Sequence, residues 1–495
     1  MNESRRVIVV GSGPAGAAAA LFLCRAGVEV LLLEAGSKGS ELGITARVHG
    51  LTVFRKSRPL GQRRDFTATQ DTGAELFEEL APGGLTNHWS CAVPRFSAED
   101  FADAERAGEP YKWPIAYDDI APWYDEVEPL LKIAGGSTSN THLPAGTVRR
   151  TRALSPDWTR MADEAGRVGR SIAPTPYVYG AETTLTLSGT VFNAFVRLVK
   201  PELRAGRASV RYDARVLRLE WSARSKRVEA VIFHDACTGA EDRVPCRAVV
   251  LAAGAVRTAE ILLASSSADF PNGLGNEHGV LGHYLHDHPL GKLVVDVDRA
   301  MSMYPAAYVT RPALQYTSPL YAAACLQWSG VDALVRSALR GQPGRAPWVG
   351  FSVFGTMAPT LDNWVSLDGD AKKPGAKPGV NLHIRHPSES TEALEKARDD
   401  VTDVLSRAGM KPRTRVWHVE PVGNSKHYGG TCRMHASPRF GMLDGWSRLH
   451  AVRNVAVADS AAFTTGPEKN PVLTAMTLAA RASHRLGEEL KAGDL

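Results

Sequence analysis

Cysteine is scarce and scattered. The 495 residues hold six, Cys24, Cys91, Cys237, Cys246, Cys325 and Cys432, with no C-x-x-C pair. Neither a zinc site nor a disulfide framework is signalled, and a reducing compartment fits. Long apolar runs are missing as well: none reaches the roughly 20 residues that cross a bilayer. Arg5-Arg6 ahead of an apolar stretch resembles a twin-arginine export signal, but that stretch reads as a first strand running into a glycine turn that the folded chain needs. The expected location is the cytoplasm, away from any membrane. A strong charge of either sign is also lacking, since 58 basic residues face 53 acidic ones for a formal net charge of +5. The one basic cluster, Arg55, Lys56, Arg58, Arg63 and Arg64, has no interleaved aromatics. It reads as a solvated or phosphate-facing loop, and no nucleic-acid partner is expected. No repeat or low-complexity tract stands out. A composition of 44% hydrophobic and 22% charged residues is that of a globular protein, and the length predicts two domains.

What is present starts at once. Val7-Ile8-Val9-Val10 runs into Gly11-Ser12-Gly13-Pro14-Ala15-Gly16, and a second apolar run, Val28 to Leu33, ends at Glu34. Glycines at this spacing turn a strand sharply into a helix and let the backbone approach a pyrophosphate, whose charge rests on the helix N-terminus. Ala17 to Ala20 make a small-residue helix that packs closely on a sheet. The Glu34 carboxylate is placed to bond a ribose 2'-hydroxyl and repels a 2'-phosphate, so a dinucleotide other than NADP is expected.

Residues 40 to 75 are polar and irregular, as in a long covering loop. Pro82 to Cys91 mixes glycines with His88, Trp89 and hydroxyls in a pattern too irregular for helix or strand. Asp118 to Lys132 is helical and Gly135 to Asn140 a linker. Ala208 to Trp221 and Arg227 to Phe233 read as a hairpin, leading to Ala248 to Ala255, a buried strand ending in a glycine turn before a helix. Residues 291 to 368 mix short strand-like runs, Ser388 to Ala408 has helical spacing, and Val455 to Asp459 returns to buried-strand character before a helix from Pro471. The fold class is therefore α/β, with a discontinuous nucleotide-binding domain of residues 1–97, 190–290 and 425–495. Residues 98–189 and 291–424 form an α+β domain for the substrate.

Two polar groups stand out near the end, His427 and Asn470. Histidine with a pKa of about 6.5 can take a proton from an alcohol as hydride leaves carbon, and asparagine can orient the same hydroxyl. Asn470-Pro471 also has the pattern of a helix cap followed by proline in the first turn. In the plainer alternative Asn470 only caps and His427 only bonds a turn. His283, His286 and His288 read as turn structure, and no metal is expected.

The opening glycine motif, Gly83-Gly84-x-x-x-His88-Trp89, Gly254-Ala255-Val256-Arg257-Thr258, Gly282 to Pro289 and the segment from His427 to Met476 occur in the order typical of glucose-methanol-choline (GMC) oxidoreductases. Gly-Gly-Leu-Thr-Asn-His-Trp-Ser-Cys-Ala-Val-Pro-Arg-Phe and His-Tyr-Gly-Gly-Thr-Cys-Arg-Met resemble the pyranose oxidase branch and the bacterial C-glycoside 3-oxidases. The resemblance implies a Rossmann-like, p-hydroxybenzoate-hydroxylase-like FAD domain and a sugar or glycoside substrate oxidised at C3 or C2. It implies His427 and Asn470 as the catalytic pair. It also implies FAD contacts from Gly11, Gly13, Pro14, Ala15, Gly16, Glu34 and Ala35, and from Gly84, Asn87, His88, Trp89 and Ser90. Further contacts are implied from Val216, Ala253, Gly254, Asp459, Asn470, Pro471 and Val472. The expected binding is non-covalent. A covalent link to His88 is the family's other mode, and Asn87 departs from the threonine that precedes this histidine in the fungal pattern. Dioxygen, giving hydrogen peroxide, or a quinone is the acceptor. Alternatives are a pyranose 2-oxidase, a quinone-dependent sugar dehydrogenase and a flavin-containing hydroxynitrile-lyase-like enzyme. The oligomeric state stays open.

Overall fold

The computed structural model describes residues 6–38, 47–48, 51–52, 58–59, 67–136, 142–144, 146–147, 150–178, 192–302, 304–313, 318, 320–328, 341, 345–369 and 379–495. Five parallel strands form one sheet in the spatial order Ala208–Arg211, Val30–Leu33, Val7–Val10, Ala248–Leu251, Val455–Val457. The last four are buried at every position. A parallel sheet covered on both faces selects unbroken apolar runs over alternation, which is why these strands were legible. The helix Pro14–Arg25 buries Ala17 to Ala20 completely and packs along the terminal helix Val472–Ala492.

The segment read as one strand from Ala208 to Trp221 is two. Asp213 adopts a left-handed φ of 56°, so Ala208–Arg211 joins the parallel sheet while Ala214–Ser222 pairs antiparallel with Arg227–Asp235. The expected hairpin stands with a shorter first arm and gains a third strand, Glu241–Pro245. Two expected helices run Tyr117–Leu131 and Ser388–Arg407.

A second, six-stranded sheet has the order Arg413–Val419, Leu290–Ser302, Arg345–Gly355, Ala323–Trp328, Ala307–Val309, Ile172–Pro174, antiparallel throughout. Alternation along Leu290–Ser302 assigns its two faces to different cores. Leu293, Val295 and Val297 pack with Trp158, Leu394 and Val401 under the helices Pro156–Ala165 and Ser388–Arg407. Leu290, Leu326, Phe354 and Tyr308 belong instead to the core shared with the parallel sheet. That second face is the one that borders the site.

Of the irregular segment 40 to 75, Thr67–Gln70 forms a strand parallel to Gly379–His383. Arg55, Lys56, Arg63 and Arg64 lie outside the described residues, as do residues 137–140 of the linker. Pro82 to Cys91, expected to be irregular, contains one 3-10 turn, Gly84–Asn87. No helix among the described residues is long and apolar enough to cross a membrane. All six cysteines are free thiols, and only Cys237 is exposed.

Candidate active site

A cavity of about 260 Å³ lies along the C-terminal ends of the parallel strands, where open α/β sheets bind their ligands. Gly11 forms the turn with φ of +92°, and a Cβ there would sit 2.5 Å from the carbonyl oxygen of Ala252. Gly16 lets the helix sit down on that turn, since a Cβ on it would come 2.0 Å from the Gly11 oxygen. Gly254, with φ of +85°, lines the cavity with bare backbone and open space where its Cβ would be. Together these glycines make a cradle of the kind a pyrophosphate requires.

Glu34 is buried on the cavity wall. Its Oε2 accepts from the Ser12 backbone N–H at 3.1 Å and from Ser12 Oγ, and its Oε1 from Gly36 N–H at 2.6 Å. Burial raises its pKa, and these donors oppose the rise. Ser12, which the sequence reading passed over, also accepts Gly83 N–H at 3.1 Å and so ties the first glycine turn to the Gly83-Gly84 loop. Asp459 is an equally committed carboxylate: its oxygens accept from Gly254 N–H, Thr258 Oγ1 and Ala461 N–H, each at 2.8 Å.

Of the residues expected at the cofactor, Gly11, Gly13, Pro14, Ala15, Glu34, Ala35, Gly84, Val216, Ala253, Gly254, Asp459, Pro471 and Val472 line the cavity. Gly16, Asn87, His88, Trp89, Ser90 and Asn470 are not on its wall. Asn87 is spent inside its own turn, donating to Gly84 O at 2.9 Å and accepting from Asn193 Nδ2 at 2.8 Å. Trp89 Nε1 donates to Phe192 O at 3.0 Å, and Ser90 faces solvent. His88 Nε2 lies 2.6 Å from Glu79 Oε2, with both side chains buried, so that nitrogen is not presented to the cavity.

His427 and Asn470 come together. Asn470 Nδ2 lies 3.4 Å from His427 Nε2, and Asn470 Oδ1 is buried without a partner among the described residues. The expected capping role is corrected: the helix Val472–Ala492 begins after Pro471 with no side-chain cap. Asn470 is turned toward the imidazole instead. The backbone around His427 is held by Asp287, whose Oδ1 accepts from His427 N–H at 2.9 Å and from Ser425 Oγ, and whose Oδ2 accepts from Gly423 N–H at 2.9 Å. Burial pushes the Asp287 carboxyl up to about 6.

The other face of the His427 ring decides its tautomer. His427 Nδ1 is 2.7 Å from His288 Nδ1, and His288 Nε2 is 2.6 Å from the carbonyl oxygen of Pro467. A carbonyl only accepts, so His288 carries its proton on Nε2. Burial holds the His288 pKa down to about 3, so its Nδ1 is a bare acceptor. His427 must then donate from Nδ1, which leaves the lone pair on Nε2, the nitrogen that faces Asn470. Burial above all, with the charges of Lys292 and Lys426 adding to it, keeps His427 well below the usual histidine range. It is therefore a neutral base with its acceptor aimed in a fixed direction.

His288 is the functional residue that sequence reasoning missed by treating it only as part of a turn. The signal was Asp287-His288-Pro289 immediately ahead of a long strand. The three histidines do not converge: His283 bonds Leu361 O at 2.7 Å, and His286 bonds Tyr284 O at 3.0 Å. No cluster of three metal-ligating side chains occurs among the described residues.

Residues 359–479 match the family described as GMC oxidoreductase, and residues 4–70 match an FAD binding domain. The chain thus carries a GMC oxidoreductase domain together with an FAD binding domain. A 2-methyl-1,2-propanediol dehydrogenase of Mycolicibacterium austroafricanum is 27% identical over 96% of this chain and 94% of its own. Paromamine 6'-oxidase of Streptomyces fradiae is 28% identical over 98% and 91%. A C-glycoside 3-oxidase of Microbacterium trichothecenolyticum is 24% identical over 83% and 76%. Among solved structures, pyridoxine 4-oxidase from Mesorbium loti has the same fold, with a TM-score of 0.64 at 16% identity over 97% and 98%. The cofactor of this chain is FAD, and the cradle fits it: glycine backbone for the pyrophosphate, Glu34 at the end of the second strand, and an uncapped helix start at Pro471 and Val472. The reaction class is oxidation of an alcohol hydroxyl.

Proposed function

We propose that this protein is a GMC oxidoreductase that oxidises a secondary ring hydroxyl of a sugar or glycoside, at C3 or C2, to a ketosugar. Dioxygen is the final acceptor and hydrogen peroxide the second product. The observation that carries the reading is the His427 Nε2 lone pair facing Asn470 Nδ2 at 3.4 Å, with its tautomer fixed by His288. A substrate hydroxyl beside the pair and within reach of both donates to Nε2 and accepts from Nδ2. His427 takes the proton as hydride leaves carbon, a general-base contribution of about 10²- to 10⁴-fold. Asn470 fixes the alcohol oxygen, and positioning of this kind lowers the entropic part of the barrier. FAD, when bound, supplies the hydride acceptor. The helix Val472–Ala492 turns its uncapped positive end to the cavity, where it favours negative charge.

The sugar class is supported by the Gly83 to Phe96 and His427 to Met434 motifs and by relatives named for C-glycoside and paromamine oxidation. In this reading residues 1–97, 190–290 and 425–495 hold FAD, residues 98–189 and 291–424 face the substrate, and the enzyme is cytoplasmic. The test is the absorbance of bound flavin during anaerobic addition of free sugars, O-glycosides and C-glycosides, followed by air. Bleaching by a sugar or glycoside and fast return of colour in air support the proposal. No bleaching by any of them overturns it, and slow return of colour replaces dioxygen with a quinone or protein acceptor.

A further inference from the structure

The sheet face that borders the site carries a polar set that the reaction above does not use. Leu290, two residues after His288, stands opposite Phe354, whose ring lies 5.5 Å from that of His427. One pleat further along, Lys292 stands opposite Ser352 on one side and His418 on the other. Lys292 Nζ donates to Ser352 Oγ at 2.9 Å, its one hydrogen-bond partner among the described residues. An ammonium has three N–H donors, so two remain for oxygen atoms brought by a ligand. The neighbouring strand end adds an imidazole and a carboxylate at the rim, with His418 Nε2 3.1 Å from Glu420 Oε1.

The alternation of the strand explains why a lysine is tolerated here. Leu293, Val295 and Val297 fill the dry core beneath the sheet, whereas Lys292 points to the other face and is half-buried. Burial lowers its pKa, opposed by the charge of Glu420. Lys292 is also one of the cations that depress the pKa of His427.

We propose that Lys292 is a specificity-determining residue. Its ammonium, beside Ser352 on the sheet face next to His427, hydrogen-bonds substrate oxygens flanking the reacting alcohol and excludes substrates that present an ammonium there. The substrate class is thereby narrowed to neutral or anionic polyols and glycosides. The inference rests on His427 acting on an alcohol, and not on that alcohol belonging to a sugar.

Matched pairs test it: methyl β-D-glucoside against methyl 4-amino-4-deoxy-β-D-glucoside, which keeps the C2 and C3 hydroxyls, and 2-methyl-1,2-propanediol against 2-amino-2-methyl-1-propanol. Anaerobic flavin reduction is followed at about pH 6.5, where both amines are cationic. The holoenzyme reduces about 10- to 100-fold faster, in kcat/KM, with the neutral member of a pair. Lys292→Met abolishes most of that preference and raises KM for the neutral member more than it lowers kcat. Lys292→Glu reverses the order, which a purely structural role does not do. Equal reaction of both members in the wild type overturns the proposal, as does the same preference in all three proteins with flavin retained. If only the diol pair reacts, the sugar reading falls and Lys292 is judged on that pair. Binding is read without turnover from the perturbation of flavin absorbance by acetate and by ethylammonium. Acetate binding left unchanged by Lys292→Met overturns the proposal.

Discussion

Replacing His288 by leucine removes the acceptor for His427 Nδ1–H and the donor to Pro467 O, contacts of 2.7 and 2.6 Å. The immediate cost is a buried N–H and a buried carbonyl without partners, about 1–3 kcal/mol for each. The kinetic cost comes from the tautomer. With nothing to accept from Nδ1, the His427 proton moves to Nε2, facing Asn470, and the lone pair turns away from the substrate. A buried N–H without an acceptor costs about 1–3 kcal/mol, and this penalty is what fixes the useful tautomer, so loss of the acceptor slows flavin reduction about 10- to 100-fold. Glutamine at 288 retains one acceptor and one donor and recovers part of the rate. The assay is stopped-flow anaerobic reduction at saturating substrate for wild type, His288→Leu, His288→Gln and His427→Ala, with bound flavin measured in each. The reasoning fails if His288→Leu holds its flavin and reduces at the wild-type rate while His427→Ala is crippled. It also fails if His288→Gln is no better than His288→Leu.

Acid should destabilise the protein over the range below pH 6.5. Folding depresses the pKa of His286 and of His288 to about 3, so each contributes stability above its unfolded value that is lost as pH falls. Between pH 7.5 and 5 the loss is about 2 kcal/mol for each, partly offset by about 1 kcal/mol from Asp287, whose pKa is raised to about 6 and shifts stability the other way. Urea midpoints at the two pH values check the sign; a higher midpoint at pH 5 contradicts it. Because His427 is held well below the usual histidine range, kcat/KM for a neutral substrate in the Asp287→Asn variant, which removes the loop carboxyl that titrates at about 6, should stay flat as pH falls through about 6.5. An acid limb centred there, absent from substrate titration, would show the base to be an ordinary solvated histidine. Gly254→Ala adds a Cβ at φ of +85° with open space around it on the cavity wall. Strain of about 1 kcal/mol should accompany a much larger loss of FAD affinity, seen as apoprotein after gel filtration. Asp287→Asn places an amide among the donors from Gly423, Ser425 and His427. It should slow flavin reduction by about 10-fold or more with FAD still bound, and an unchanged rate would remove Asp287 as the anchor of that loop.

The nucleotide half was legible because its signals are local. A strand buried on both faces is a run of Val, Ile and Leu, a glycine turn is set by φ and close approach, and Glu34 closes the second strand. All of these lie within about thirty residues of chain. The split at Asp213 was not legible, since a left-handed φ at an aspartate leaves apolar alternation on both sides of it intact. Nor was the idle capping position of Asn470, which its sequence neighbours Pro471 and Val472 favour and which contact with His427 overrides.

By itself the sequence determined a Rossmann-like sheet, the dinucleotide cradle and two candidate polar groups, because backbone geometry and burial leave periodic marks on neighbouring residues. The tertiary structure alone decided what those groups can do. His288 and His427 are 139 residues apart, and Lys292 reaches Ser352 across 60. A tautomer is set by whichever atom happens to face the other nitrogen, and charge acts through space with no imprint on the intervening chain. Only packing the antiparallel sheet against the nucleotide sheet brings the acceptor, the base and the cation near one another.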